Sequence, residues 1–236
     1  MSKAGWRIIL IVPETNTTMG RELRAIWPEI AELQIIGVPR PLRPIVIEDL
    51  PAYQEATLAA AHDCEFKKPD LVLYGCTTAG FLAGPKGDLE LATALSEVTA
   101  APVVTTASSM VAALRYSNVR RPAIVTPYLD ASNQALIRFL AEFDMQASLL
   151  DSFYLKSVDD YNKVTKEKVR DFAVPAGRTP EADGLFIACT QLPTLGILDD
   201  IRIRINKPVW SAVQATFWAG KRKVTDLETT ARVPGV

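Results

Sequence analysis

Three thiols and one imidazole are the conspicuous nucleophiles and bases of the chain: Cys64, Cys76, Cys189 and His62. Cys76 and Cys189 share a context. Each ends a short apolar run, Leu73-Tyr74-Gly75-Cys76-Thr77 and Phe186-Ile187-Ala188-Cys189-Thr190, and each precedes a loop containing glycine or proline. A cysteine at a strand end before a helix lies near backbone N–H groups and a positive helix terminus. Both favour the thiolate, the form that attacks carbon or takes a proton. Taken singly, either cysteine reads as a small core residue, since free cysteine is often inert. Taken as a pair in matched Cys-Thr turns, they read as a catalytic couple. Cys64 lacks that context and is assigned to helix packing. His62 lies in the alanine-rich segment Ala52–Cys64, which reads as a helix, and is assigned a structural or surface role. A Cys–His or Ser–His–Asp apparatus would need that histidine, so the chemistry falls to thiols, hydroxyls and amides.

Polar groups that could serve the thiols stand in three turns. Thr77 and Thr78 follow Cys76 directly. Pro13-Glu14-Thr15-Asn16-Thr17-Thr18 follows the first apolar run and opens a helix. One of these side chains is needed as an N-cap; the others exceed what a cap requires and could hold a carboxylate at a helix N-terminus. Thr126-Pro127-Tyr128 follows another apolar run, and Tyr128 reads equally as a hydroxyl offered to the site or as a packed aromatic with a wet tip. Three cysteines without a CxxC argue against a disulfide framework and a zinc site. There is no GxGxxG and no Walker motif, so a nucleotide site has no support.

The elements that must position these turns are legible as alternating short apolar runs and helical patterns. Strands are expected at Arg7–Val12, Leu33–Val38, Leu71–Tyr74, Val103–Thr105, Ala123–Thr126, Ala147–Leu150, Leu185–Ala188 and Val209–Ser211. Helical spacing appears in Leu89–Val98, Ala131–Phe143 and Tyr161–Phe172, and Ala173–Ala182 reads as a connection. Continuous apolar strands alternating with helices indicate an α/β protein with mostly parallel strands covered on both faces. The pattern repeats. An apolar strand ending at Pro13 precedes Asn16 and a helix; another ending at Thr126-Pro127 precedes Asn133 and a helix. Two similar halves would bring the Cys-Thr turns together across a cleft, where α/β proteins build their sites. The expected division is a first half over residues 1–115, a second over 116–221, and a loosely held tail over 222–236, with the last helix of the first half able to pack on the second.

The 236 residues suffice for a sizeable core, and 48% apolar with 22% charged residues is ordinary globular composition. A net charge of −1 gives no attraction to nucleic acid or an anionic membrane. Met1–Trp6 shows no signal-peptide h-region, and no apolar run is long enough to span a bilayer. A soluble, cytoplasmic protein is expected.

With these residues in view, the chain is identified as resembling the aspartate/glutamate/hydantoin racemase superfamily, and within it the maleate cis–trans isomerases and arylmalonate decarboxylases. Val12-Pro13-Glu14-Thr15-Asn16-Thr17-Thr18-Met19 is similar to the PxxNTTME signature of the isomerases, with Gly20 where the signature ends in glutamate. Gly75-Cys76-Thr77-Thr78, Thr126-Pro127-Tyr128 and Ala188-Cys189-Thr190-Gln191-Leu192 resemble three further blocks, in order, and the likeness runs from about residue 7 to 220. The resemblance implies two pseudo-symmetric Rossmann-like halves, each with a four-stranded parallel sheet, an active site between them, and no metal or organic cofactor. It implies a small carboxylic or dicarboxylic acid as substrate and a homodimer or larger homo-oligomer. On the isomerase pattern Cys76 adds to a cis-enedioate, the bond rotates, and Cys189 acts as acid/base. Asn16, Tyr128, Thr77, Thr78, Thr190 and Pro13 then line the substrate site. Two departures bear on the reaction. Arylmalonate decarboxylases of the well-known type have glycine where Cys76 stands. The isomerases carry an asparagine that aligns near Val158 or Asp159, with Asn162 close by, and an aspartate there would repel a dicarboxylate. The alternatives are a decarboxylase or two-cysteine racemase acting on a substituted malonate or amino-acid derivative, and a non-catalytic small-acid binder.

Overall fold

All eight apolar runs form strands, sorted into two parallel sheets of matching order. The computed structural model describes residues 5–231 apart from 65 and 67, and side chains through residue 226. The first sheet contains β1 (Trp6–Pro13), β2 (Ile30–Val38), β3 (Leu71–Tyr74) and β4 (Val103–Thr105) in the order β2-β1-β3-β4. The second contains β5 (Pro122–Thr126), β6 (Leu149–Ser152), β7 (Gly184–Ile187) and β8 (Val209–Ser211) in the order β6-β5-β7-β8. Ile8, Ile9, Leu10 and Ile11 are all fully buried, so both faces of β1 are covered. That explains why it reads as a continuous run rather than an alternating one. Each such side chain contributes about 1.5–3 kcal/mol by leaving water. The seven remaining strands fall at the expected runs, with two offsets: β2 begins three residues earlier, at Ile30, and β6 sits two residues later, ending in Asp151-Ser152.

The helices between the strands are α1 (Met19–Ile26), α2 (Leu50–His62), α3 (Thr77–Thr99), α4 (Thr106–Tyr116), α5 (Asp130–Ala141), α6 (Val158–Asn162), α7 (Lys166–Gly177), α8 (Leu198–Ile205) and α9 (Ala212–Ala231). The pattern predicted over Tyr161–Phe172 is two helices: α6 ends at Asn162, and Thr165 caps α7 by accepting the Lys168 N–H at 3.3 Å. The connection expected over Ala173–Ala182 is shorter than that. α7 continues to Gly177 and takes Pro175 into its last turn, while Ala173 and Ala176 pack in the core.

Two helices are exchanged between the halves. Met110, Val111, Ala113 and Leu114 of α4 share a core with Ile124 and Phe186 of the second sheet. Val213 and Val224 of α9 share a core with Ile8, Leu10, Leu71 and Leu73 of the first. Gly220 permits that approach: a Cβ there would stand 3.0 Å from Leu73 and 3.1 Å from Leu71. The segment expected to be loose from residue 222 is thus helical as far as Ala231, and Val224 anchors it. Residues 232–236 of that expectation, and residues 1–4 of the expected absence of a signal segment, lie outside the described residues. Among the described residues no helix is long and apolar enough to cross a membrane.

Candidate active site

The carboxyl ends of β1, β3, β5 and β7 converge on a narrow cleft. Its walls include every residue assigned to the site from sequence: Pro13, Asn16, Cys76, Thr77, Thr78, Tyr128, Cys189 and Thr190. Cys64 packs beside α2 and β3, and His62 is exposed beside Asp63, so neither belongs to it. Among the described residues no group of three His, Cys, Asp or Glu side chains is placed to hold a metal ion.

Cys76 stands at the N-cap of α3, where the Ala79 N–H points at its sulfur. Gly75 makes the turn tight; a Cβ there would meet Met19 at 2.5 Å and Val12 at 2.7 Å. Burial pushes the Cys76 thiol up, opposed by the Ala79 N–H, by the Arg40 cation and by the hydroxyls of Tyr53 and Tyr74. Those two hydroxyls are buried and lack a hydrogen-bond partner, which leaves them free to donate to a thiolate when one forms. Cys189 has a different setting. Its backbone is at φ +94°, in the left-handed region that side chains rarely adopt. Its sulfur accepts the Gln191 N–H at 3.4 Å. Burial pushes this thiol up to about 11, against the Gln191 N–H, the Tyr128 hydroxyl and the Leu192 N–H.

The strained turn at Cys189 is held from the other half. The Asn16 side chain does two jobs: Oδ1 accepts the N–H groups of Thr18 (3.1 Å) and Met19 (3.0 Å), and Nδ2 donates to Thr190 Oγ1 (2.9 Å). Thr190 Oγ1 in turn donates to the Gly75 carbonyl at 2.8 Å. Gln191 Nε2 donates to Thr15 O and Asn162 Oδ1, both at 3.0 Å. Further along, Glu22 of α1 accepts the Thr194 N–H (2.7 Å), the Leu195 N–H (2.9 Å) and the Thr194 hydroxyl (3.0 Å). Backbone strain of this kind persists only where surroundings over-determine it, and here they do.

Donors face the space between the thiols. Thr77 Oγ1 and the Tyr128 hydroxyl are buried without a hydrogen-bond partner. Such groups cost about 1–3 kcal/mol unless a ligand satisfies them. Tyr128 is fixed by an edge contact with Phe81 at 5.5 Å and by its carbonyl, which accepts from Ser152 Oγ at 2.6 Å and Asn133 Nδ2 at 3.0 Å. Its hydroxyl is held well above the usual phenol range by burial, so it remains a donor. Asn133, the repeat counterpart of Asn16, serves the turn rather than the cleft.

Sequence reasoning missed several wall residues: Arg40, Pro44, Ile45, Ser132, Tyr161 and Gln191. It also misjudged one position. Asp159 is exposed and lines no part of the cleft; Tyr161 of the same helix does. The repulsion expected for a dicarboxylate is therefore absent, and the charged wall residue is a cation, Arg40.

The family model described as arylmalonate decarboxylase matches residues 8–235. The chain belongs to the arylmalonate decarboxylase family. It is 31% identical to the arylmalonate decarboxylase of Bordetella bronchiseptica over 147 residues, covering 62% of this chain and 61% of that enzyme. Over 247 residues it is 28% identical to a maleate isomerase of Pseudomonas putida, covering 98% of this chain and 95% of the relative. A solved glycine-to-cysteine mutant of arylmalonate decarboxylase superposes with a TM-score of 0.77 at 25% identity, covering 92% of both chains. A maleate isomerase from Pseudomonas putida S16, crystallised with maleate, superposes with a TM-score of 0.84 at 21% identity, covering 94% of this chain and 92% of that one. The relatives are enzymes of both kinds, as the sequence blocks imply, and the paired parallel sheets are those of the family.

Proposed function

We propose that the chain is a cofactor-independent isomerase of maleate or a close cis-enedioate, with Cys76 as nucleophile and Cys189 as acid/base. The observation that carries this reading is the meeting, in one cleft, of two thiols from opposite halves with buried, unpartnered donors between them. Asn16, Thr77, Thr78, Tyr128 and Thr190, with Pro13 as an apolar wall, are the groups proposed to seat the substrate. The Cys76 thiolate adds to one alkene carbon, and the π pair moves to the neighbouring carbon and onto its carboxylate as an enediolate. Fixed donors around that carboxylate stabilise the developing charge. Cys189, which burial keeps protonated, gives its proton to the carbanionic carbon. The former double bond is now single and rotates. Cys189 takes a proton back, the C–S bond breaks, and the trans diacid leaves with Cys76 again a thiolate. A solved variant of the Nocardia farcinica maleate isomerase, with cysteine changed to serine, holds a covalently bound succinylcysteine intermediate, the kind of adduct this sequence of steps requires. Free, uncrosslinked thiols suit a reducing cytoplasm.

The second reading is decarboxylation of a substituted malonate through the same enediolate, and it is favoured by the likeness to the Bordetella enzyme. Incubation with maleate and no cofactor, followed by proton NMR, separates the two. Fumarate formed by the wild type and lost in Cys76→Ala and Cys189→Ala supports isomerisation. No fumarate from folded protein refutes it and directs the search to substituted malonates.

A further inference from the structure

Apart from its thiols and tyrosines, the cleft wall carries one ionisable residue, Arg40. It stands in the loop Pro39-Arg40-Pro41-Leu42-Arg43-Pro44 that follows β2, at the same sheet end as the catalytic turns. The loop is fixed at three points. Arg40 Nε and Nη2 donate to the carbonyls of Pro41 (3.2 Å) and Arg43 (2.8 Å). Arg43 forms a two-pronged pair with Asp49 at 2.7 and 2.8 Å, and Asp49 also accepts the Val46 N–H at 2.9 Å. The Leu42 carbonyl accepts the Val158 N–H at 3.2 Å, tying the loop to α6 and so to Tyr161 on the opposite wall. The Asp49 carboxylate, which feels the Arg40 charge, is engaged by Arg43. Arg40 forms no ion pair among the described residues, while its charge is felt at Cys76, Tyr53 and Tyr161.

An arginine oriented by neutral carbonyls, beside a cleft and without a carboxylate of its own, has donors to spare. Guanidinium presents five N–H bonds in a planar fork suited to a carboxylate. We propose that Arg40 receives the second carboxylate of a dianionic substrate, while the Thr77 and Tyr128 hydroxyls hold the first. The proposal rests on the small-acid reading above. It gives the cleft a preference for diacids over monoacids of the same shape. Arg40 thereby becomes a specificity determinant that neither cysteine block signals.

Binding measured by calorimetry tests this apart from turnover. The full chain carrying Cys76→Ala is titrated with maleate and with its monoamide, which replaces one carboxylate by a neutral amide of equal size. Maleate is expected to bind roughly 10- to 100-fold more tightly, the scale of a hydrogen bond to a charged group. Adding Arg40→Met should bring the two affinities together by weakening maleate alone, and Arg40→Lys, which keeps the charge but loses the fork, should keep part of the difference. Equal affinities before Arg40 is changed, no binding of either ligand, an undiminished difference in Arg40→Met, or Arg40→Lys behaving like Arg40→Met would each overturn the proposal. The expected selectivity in the Cys76→Ala chain, with no fumarate formed by the wild type, keeps the diacid site and loses the isomerase reading.

Discussion

The two Cys-Thr turns occupy equivalent places in equivalent sheets, yet they are built differently. Cys76 has an ordinary backbone, with φ −107°, at the start of a long helix. Cys189 sits at φ +94° in a loop, with α8 beginning only at Leu198. The first turn offers its sulfur a helix terminus, two tyrosine hydroxyls and a cation. The second offers N–H groups and one tyrosine, and no cation. The repeated topology supplies a common frame, and the surroundings of the two sulfurs differ within it. A thiolate is better supported at Cys76, and a thiol that keeps its proton at Cys189.

The sharpest way to break this comparison is to remove each thiol. Cys76→Ala and Cys189→Ala should each lower kcat for maleate by ~10²–10⁴-fold, the scale of a lost catalytic acid or base. They should differ by mass spectrometry: Cys189→Ser, quenched during turnover, should retain an adduct at Cys76, whereas Cys76→Ala should show none at Cys189. Next in size is the clamp that exists only on the second turn. Glu22→Gln weakens charged hydrogen bonds to the Thr194 and Leu195 N–H groups and should cost about 1.5–3 kcal/mol in urea denaturation, with kcat falling as the Cys189 loop loosens. Unchanged stability would remove the clamp from the account.

The third test uses pH. Cys189 titrates at about 11 in the folded chain, above the value of 9.0 ordinary for a thiol. Between those values the unfolded chain has released a proton that the folded chain still holds, so stability should fall as pH rises from about 9 to about 11. Cys189→Ser should make that fall shallower without removing it, because burial also raises Cys76 and Tyr128. The smallest effect is the most local. At Cys189 glycine should be at least as stable as alanine, because alanine keeps the backbone strain. A glycine variant less stable than the alanine variant, read from thermal melts, would show that the positive φ carries no cost.

Much of the frame was legible because buried parallel strands leave continuous apolar runs, and the two cysteines were legible because each run ends on one. What escaped lies where neighbours decide. Arg40 belongs to no run or repeat and Tyr161 reads only as the start of a helical pattern; the bond from the Val158 N–H to the Leu42 carbonyl joins their two segments across the halves. Pro175 and Gly177 read as breakers, yet a proline in a last helical turn is tolerated when Ala173 and Ala176 are buried beneath it. The polar stretch after residue 221 reads as loose, because its hold depends on Val224 reaching a sheet more than a hundred residues earlier in the chain. Asn16 read first as one of several cap candidates; its Oδ1 does cap α1, while its Nδ2 reaches Thr190 in the second half.

The exchange of α4 and α9 bears on how the protein is made. A ribosome delivers the first sheet long before the helix that covers one of its faces. Until α9 emerges, the face formed by Ile8, Leu10, Leu71 and Leu73 lacks the cover that Val213 and Val224 complete. The first half cannot finish as an autonomous unit, and α4 waits with its apolar face for the second sheet to form. Synthesis of α9 is then the event that lets both cores close at once, and a chain stopped short of it is left with an open sheet face prone to association.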